Sequence, residues 1–157
     1  MKIANYRLYL EEKRPVLVAE NYVETDVEVF NNPERIGEFL NKTLSLSTLA
    51  EEYAYMIALD IKLVPLGIFE ISHGTNGLCI LNAREILMRA LMCGASYIVV
   101  VHNHPSGDPT PSDIDIESTK KLYSASKLLG VQLVDHLIAG NYIHSMMEQN
   151  QECFSGE

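Results

Sequence analysis

Hydrophobic and polar positions along the chain follow two periods, and these periods predict strands and helices in mixed order. Residues 3–10 alternate loosely and, together with the apolar run 16–18, predict a hairpin or an added edge ribbon. The aromatic-rich, largely apolar residues 53–59 predict a strand, and a turn after them leads to a second strand over 63–71. The β-branched run at 97–101 is typical of a strand buried on both faces.

Helical patterns lie between these strands. Asn32 and Pro33 have the residue types of an N-cap and a first helical position, and an apolar stripe follows them. Residues 83–93 are strong helix formers, and Gly94 is expected to end that helix. A further helix is predicted from about 113 to 129. Its apolar face is expected to consist of Ile114, Leu122, Ala125 and Leu129.

Two more predicted strands, 131–138 and 142–146, complete the pattern. Strands mixed with helices on both sides predict an α/β (α+β mixed) sandwich, in which helices flank a central mixed β-sheet. The length of 157 residues favours one domain. We expect an N-terminal β extension over 1–30, the domain itself over 31–147 and a flexible tail over 148–157.

Composition and charge narrow the classes of function. The formal net charge is −9, and the basic residues are scattered and outnumbered, which argues against direct DNA binding. No apolar run approaches a membrane span, and the first residues lack the apolar core of a secretory signal, so a cytoplasmic location is expected. Cys79, Cys93 and Cys153 show no metal or redox spacing, which predicts idle reduced thiols.

Candidate chemistry begins directly after the run at 97–101. In extended backbone, the side chains of His102 and His104 point the same way, with their bases about 6.5–7 Å apart, so both imidazoles can reach one ion. Zinc binds imidazole nitrogens and commonly adds a carboxylate, which Asp115 could supply from the start of the next helix. Three protein ligands would leave a fourth position for water, as in catalytic zinc sites.

The same stretch also allows a purely structural interpretation. Ser112 followed three residues later by Asp115 is the pattern of a capping box, with serine at the N-cap and an acid at the third helical position. The two interpretations are compatible because a cap would fix the position of the carboxylate.

The spacing of these residues resembles the JAMM metalloprotease signature, His-x-His, seven residues, Ser, two residues and Asp. In this chain the signature consists of His102, His104, Ser112 and Asp115. The fuller text HNHPSGDPTPSDID resembles the RadC-like branch of the JAB/MPN family, and residues 83–86 and 133–138 agree with it in order and spacing. The resemblance covers roughly 30–147 and implies a JAB/MPN-like (cytidine-deaminase-like) sandwich.

What the resemblance implies about chemistry is specific. It implies one zinc ion per chain, held by His102, His104 and Asp115, and cleavage of an amide or isopeptide bond in a peptide or protein substrate by metal-activated water. It also implies an upstream glutamate as general base. Glu52 is preferred to Glu51 because a bulky hydrophobe directly follows this glutamate in the family, and strand alternation lets only one of them face the metal.

Further residues have weaker assignments. The resemblance implies that Ser112 donates a hydrogen bond to the tetrahedral oxyanion. Asp135, next to His136 on a predicted strand, is hypothesised to orient a ligand imidazole, and a hydrogen-bonded core pair is the alternative. His73 and His144 are not expected to be ligands.

A second class of function stays open beside the zinc metallohydrolase. The family name carries an association with DNA repair, so the chain could be a metal-binding DNA-repair or mobile-element accessory protein that acts by interaction without proteolysis. A nuclease would need groups that clamp phosphate, and Arg84 and Arg89 are the only nearby candidates that the sequence offers. An exposed edge of the N-terminal hairpin could support a homodimer.

Overall fold

Strands and helices alternate along the chain in the computed structural model, which describes residues 1–74 and 81–155; Cys79 lies outside these ranges. The elements, in chain order, are β1 (Lys2–Glu11), β2 (Arg14–Glu24), α1 (Pro33–Leu44), a 3₁₀ helix (Leu46–Thr48), β3 (Glu52–Leu59), β4 (Pro65–Gly74), α2 (Ala83–Met92), β5 (Tyr97–Asn103), α3 (Asp113–Leu128), β6 (Gln132–Ala139), β7 (Ile143–Ser145), α4 (Met146–Gln149) and a second 3₁₀ helix (Gln151–Phe154). Among the described residues, no helix has both the length and the apolar character needed to cross a membrane.

The strands form one mixed sheet in the order β2-β1-β4-β3-β5-β6-β7. The central strand β3 pairs antiparallel with both β4 and β5. β5 and β6 are parallel, and α3 is the crossover helix that such a pair requires. The predicted mixed sheet with flanking helices is therefore confirmed.

Hydrophobic side chains pack on both faces of this sheet. Along β5, Ile98 and Val100 point to the face covered by α2 and α3, whereas Val99 and Val101 point to the face covered by α1. All four side chains are fully buried, as the β-branched run predicts. Any polar side chain that continues this alternation at the end of β5 is therefore also enclosed.

The buried face of α3 differs from the apolar face predicted for it. Ile114 and Leu129 are each 48% exposed, although both were expected to face the core. The side chains that α3 buries are Asp115, Thr119, Leu122 and Ser126. Leu122 is buried and Ala125 packs against the core as predicted, so the periodicity is wrong only at Ile114 and Leu129. Three of the four buried side chains are polar, and hydrogen bonds inside the protein make their burial tolerable.

The C-terminal residues also differ from the flexible tail expected over 148–157. Cys153 and Phe154 are buried in the cluster beneath α3, and the Phe154 ring packs edge-on against Tyr123 with a centroid distance of 5.6 Å. These two side chains hold the last 3₁₀ helix on the domain because they complete its apolar cluster. The domain boundaries themselves stay a prediction.

The N-terminal hairpin joins the sheet through the first half of β1. β1 pairs parallel with β4 at Asn5–Ile68 and Tyr6–Phe69. The rings of Tyr6 and Phe69 stack with a centroid distance of 5.3 Å, and a Cβ at Gly67 would lie 2.6 Å from the Tyr6 ring. Glycine is thus needed for this close approach. The homodimer suggested for the outer strand of the hairpin stays a prediction.

Replacing Tyr6 with alanine tests whether the hairpin and the rest of the sheet fold as one unit. We expect Tyr6→Ala to lower the free energy of unfolding by about 2 kcal/mol, because a partly buried ring contact is lost. Tyr22→Ala, at a side chain that is mainly exposed on β2, should cost less than about 0.5 kcal/mol. Urea unfolding measures both, and equal small effects would show that the hairpin is not coupled to the domain.

Candidate metal centre

Three polar side chains converge where β5 ends and α3 begins. His102 lies near the end of β5, His104 directly follows the strand, and Asp115 is in the first turn of α3. Their ligand atoms all lie within 4.8 Å of one another. His102 Nε2 is 2.9 Å from His104 Nε2 and 3.2 Å from Asp115 Oδ1, while His104 Nε2 is 3.5 Å from Asp115 Oδ2. This group could hold one metal ion.

The electrostatics of the group suit a cation. Burial alone would raise the pKa of the Asp115 carboxyl, but the neighbouring His102 and His104 imidazoles hold that pKa well below its ordinary value. The hydrogen bond with Asp115 in turn raises the pKa of His104, against the opposite effect of burial. Two imidazoles and an ionised carboxylate are a donor set that fits a divalent metal such as zinc.

The position of the Asp115 carboxylate is fixed by the predicted capping box, which the structure confirms. The Ser112 hydroxyl accepts from the Asp115 main-chain N–H at 3.2 Å and donates to Oδ2 at 2.7 Å. The Ser112 main-chain N–H donates to the same Oδ2 at 2.7 Å. The cap and the ligand position therefore coexist, since Oδ2 is held by the cap while Oδ1 faces His102.

The loop after β5 sets the orientation of His104. The Nδ1 atom of His104 lies 2.8 Å from the Asp108 carbonyl oxygen, so its N–H donates there and Nε2 faces Asp115. Gly107 has a left-handed backbone with φ of 83°, and its carbonyl accepts from Asn141 N–H at 2.7 Å. A Cβ at Gly140 would lie 2.5 Å from the same carbonyl oxygen. The turn between β6 and β7 thus supports the loop.

Glu52 and Glu51 are placed differently. Glu52 begins β3 and is buried, and it continues the alternation of Ala54, which pairs with His102 in the neighbouring strand. The negative charge of Glu52 contributes to the raised pKa of His104, although Asp115 has the larger effect. Glu51 is exposed and its carboxylate contacts the imidazole of His73. Of the two glutamates, Glu52 is therefore the one on the side of the candidate metal group.

Asn103, the middle residue of the His-x-His motif, holds the backbone on both sides of Glu52. Its side-chain oxygen accepts from Tyr53 N–H at 2.8 Å, and its side-chain nitrogen donates to the Glu51 carbonyl at 2.9 Å. The side chain is fully buried, so no water competes for these bonds. The sequence analysis gave Asn103 no role. Its position between two candidate ligands, at the end of a buried strand, was the feature that could have indicated one.

The Asp135 carboxylate has the hydrogen bonds of a buried core residue, which is the alternative to the hypothesised contact with a ligand imidazole. The carboxylate accepts hydrogen bonds from His136 N–H at 2.7 Å, from Met147 N–H at 2.9 Å and from the Ser145 hydroxyl at 2.5 Å. These bonds join β6 to the start of α4, and burial raises the pKa of the carboxyl. Asp135 points away from the candidate ligands because neighbouring residues of a strand face opposite sides of the sheet.

The contact expected of Asp135 is made by His136. Its Nε2 lies 2.7 Å from His102 Nδ1, and its own Nδ1 lies 2.7 Å from the Thr119 hydroxyl oxygen. Burial lowers the pKa of His136 well below its ordinary value. Thr119 was missed by the sequence analysis, although its place one helical turn after Asp115 puts it on the same side of α3.

A sequence model described as the RadC-like JAB domain matches residues 30–152. The chain belongs to this family. The match agrees with the resemblance carried by the His-x-His motif and its downstream serine and aspartate, and it ends at 152, within the last 3₁₀ helix.

Relatives of this RadC-like JAB domain occur in several bacteria. A UPF0758 protein of Clostridium novyi is 37% identical over 131 residues, which are 82% of this chain and 56% of the relative. A UPF0758 protein of Alkaliphilus metalliredigens is 40% identical over 118 residues, 75% of this chain and 50% of the relative. One from Thermotoga maritima is 39% identical over 112 residues, 67% of this chain and 50% of the relative. The chain spans about half the length of these curated relatives.

Elemental analysis after loading with zinc and dialysis tests the metal group of this JAB domain. We expect about one divalent ion per chain in the unchanged protein and loss of most of it in His104→Ala and Asp115→Ala, because two remaining ligands bind weakly. His73→Ala is the matched control, since it removes an imidazole that pairs with Glu51 outside the group. Metal retained by both ligand variants would contradict the assignment.

Proposed function

We propose that this RadC-like JAB domain is a zinc-dependent metallohydrolase, a metalloprotease or isopeptidase that cleaves an amide bond in a peptide or protein substrate. The observation that carries the proposal is the placement of the buried Glu52 carboxylate on the side of the sheet where His102, His104 and Asp115 converge. A metal site used only for structure has no need of a further carboxylate beside it, because structural sites close their coordination with protein ligands.

The roles of the residues follow from their chemistry. His102, His104 and Asp115 would hold zinc, which when bound lowers the pKa of its water and polarises a substrate carbonyl. Glu52 would accept a proton from the attacking water and return it to the leaving amine, the work of a general base and then of a general acid. The backbone of Glu52 is held for this role by the two hydrogen bonds that Asn103 makes to its neighbours.

Ser112 would stabilise the tetrahedral oxyanion with its hydroxyl proton. In the structure this proton is donated to Asp115 Oδ2, which also accepts the Ser112 main-chain N–H. Because the main-chain donor can keep Oδ2 hydrogen-bonded, the hydroxyl can turn toward a substrate oxygen without leaving the carboxylate unsatisfied. An oxyanion donor typically contributes a factor of about 10² to 10³ in kcat.

Replacing Glu52 and Glu51 with glutamine, one at a time, tests which of the two carboxylates is the general base. We expect Glu52→Gln to reduce amide hydrolysis by a factor of about 10² to 10⁴ while zinc content stays unchanged, because the proton acceptor is lost. Glu51→Gln changes the adjacent, exposed carboxylate and should leave both quantities unchanged. The substrate is a tryptic digest of a bacterial proteome together with lysine-isopeptide conjugates, and mass spectrometry counts new termini that depend on zinc.

Hydrolysis at the unchanged rate in Glu52→Gln would remove Glu52 from the mechanism. A zinc-loaded, folded protein that leaves every peptide and conjugate intact would contradict the metallohydrolase itself. That second result would favour the accessory protein that acts by interaction.

Replacing Ser112 with alanine distinguishes its two functions. We expect Ser112→Ala to lower the free energy of unfolding by about 1 kcal/mol through the lost cap and to lower kcat by a factor of about 10². Asn32→Ala is the matched control, because it removes the N-cap of α1, whose side chain accepts from Arg35 N–H at 2.9 Å. Asn32→Ala should lose comparable stability and keep kcat, and an equal loss of kcat in both variants would limit Ser112 to capping.

A further inference from the structure

We infer that Thr119 and His136 fix the tautomer of His102 and thereby direct the lone pair of its Nε2 atom toward the metal ion. The three side chains form a hydrogen-bonded relay, His102–His136–Thr119, which ends on the main-chain carbonyl of Asp115. The inference rests on the metal ion of the proposed function and is independent of whether the protein hydrolyses an amide bond.

The direction of the relay is set at its Asp115 end. The Thr119 hydroxyl oxygen lies 2.6 Å from the Asp115 carbonyl oxygen and 2.7 Å from His136 Nδ1. Threonine has one hydroxyl proton, and a carbonyl oxygen only accepts. The proton therefore goes to the Asp115 carbonyl, and the Thr119 oxygen must accept the N–H of His136 Nδ1.

The same count of protons continues to His102. With its proton on Nδ1, neutral His136 has an unprotonated Nε2 that accepts a hydrogen bond at 2.7 Å from His102 Nδ1. His102 then carries its proton on Nδ1 and has a free lone pair on Nε2, the atom that faces Asp115 and His104. An imidazole bound to metal through Nε2 keeps its proton on Nδ1. A second proton on His136, at Nε2, would therefore place its N–H against the Nδ1–H of His102.

The relay connects two candidate ligands through three elements of the fold. It starts at His102 on β5, passes through His136 on β6 and ends at the main chain of Asp115 on α3. Thr119 and His136 are fully buried and His102 is 1% exposed, so water cannot replace a missing partner. His104 reaches the same tautomer more simply, because its Nδ1 faces the Asp108 carbonyl.

The test replaces Thr119 with valine, which keeps the shape of the side chain, and with serine, which keeps the hydroxyl. Zinc affinity is measured by competition with a chromophoric chelator. We expect Thr119→Val to weaken zinc binding by a factor of about 10 to 100, as for other residues that orient a metal ligand. Thr119→Ser should stay within about threefold of the unchanged protein, because the hydrogen bond is restored.

Ser126→Ala is the matched control on the same helix. Ser126 is also fully buried on α3, and its hydroxyl donates to the Tyr123 carbonyl at 2.9 Å, outside the relay. Ser126→Ala should lower stability without changing zinc affinity. If Thr119→Val acted only through a general loss of helix packing, Ser126→Ala would weaken zinc binding as well.

Long-range ¹H–¹⁵N correlation spectra of the histidine rings give a readout that does not need bound metal. In the metal-free protein we expect His102 and His136 both to carry the proton on Nδ1. In Thr119→Val, His136 loses the acceptor for its Nδ1 proton, so we expect His136 to carry its proton on Nε2. That proton would be donated to His102 Nδ1, so we expect the His102 proton to move to Nε2.

Unchanged zinc affinity in Thr119→Val, an equal loss in Ser126→Ala or no zinc binding by the unchanged protein would each overturn the inference. So would a His102 proton on Nε2 in the unchanged protein. A protein that binds zinc with the expected order of variants but cleaves no peptide or conjugate would keep the inference and contradict the proposed hydrolysis.

Discussion

The buried carboxylate of Asp115 is the constraint on which the rest of the site depends. A carboxylate in the protein interior is tolerated only when hydrogen bonds and opposite charge replace the water it has lost. Ser112 supplies two of these bonds, and His102 and His104 lie close to the two carboxylate oxygens. The N-terminus of α3 adds the favourable end of the helix dipole.

The topology of the sheet brings the remaining groups to the same place. β5 and β6 are parallel and joined by α3, so the start of that helix lies beside the C-terminal end of β5. β3 runs antiparallel to β5, so the beginning of β3, with Glu52, lies beside His102. Alternation along β3 places Glu52 rather than Glu51 on the side of the candidate metal group. On β6, His136 rather than Asp135 contacts His102.

Sequence patterns were informative where one physical rule determined the outcome. The β-branched run of β5, the cap of α3 and the spacing of His102, His104 and Asp115 each depend on local geometry, and the structure agrees with all three. The patterns failed where burial was polar. α3 can bury the hydroxyls of Thr119 and Ser126 because both are hydrogen-bonded, Thr119 to His136 on β6 and Ser126 to a carbonyl of its own helix. A hydropathy pattern carries no information about such hydrogen-bond partners.

Sequence patterns also could not predict whether His136 or Asp135 contacts His102. Both are buried polar neighbours on β6, and either residue type can orient an imidazole. The pairing of β5 with β6 shifts register between Ile98 and Val99, so counting alternate residues along the strands does not predict which one faces α3.

A charge count explains why a divalent cation suits this place better than a capped loop alone. Glu52 and Asp115 bring two carboxylates into a buried region that also contains the imidazoles of His102, His104 and His136. With neutral imidazoles, the two ionised carboxylates leave the region two negative charges in excess. Water reaches little of it, so compensation must come from protons on the histidines or from a bound ion. The relay through Thr119 assigns the proton of His102 to Nδ1, away from Asp115, which leaves Nε2 as an electron-pair donor. A dication at that lone pair would satisfy the charges and the hydrogen bonds together, whereas an added proton on His102 would satisfy only the charge of one carboxylate.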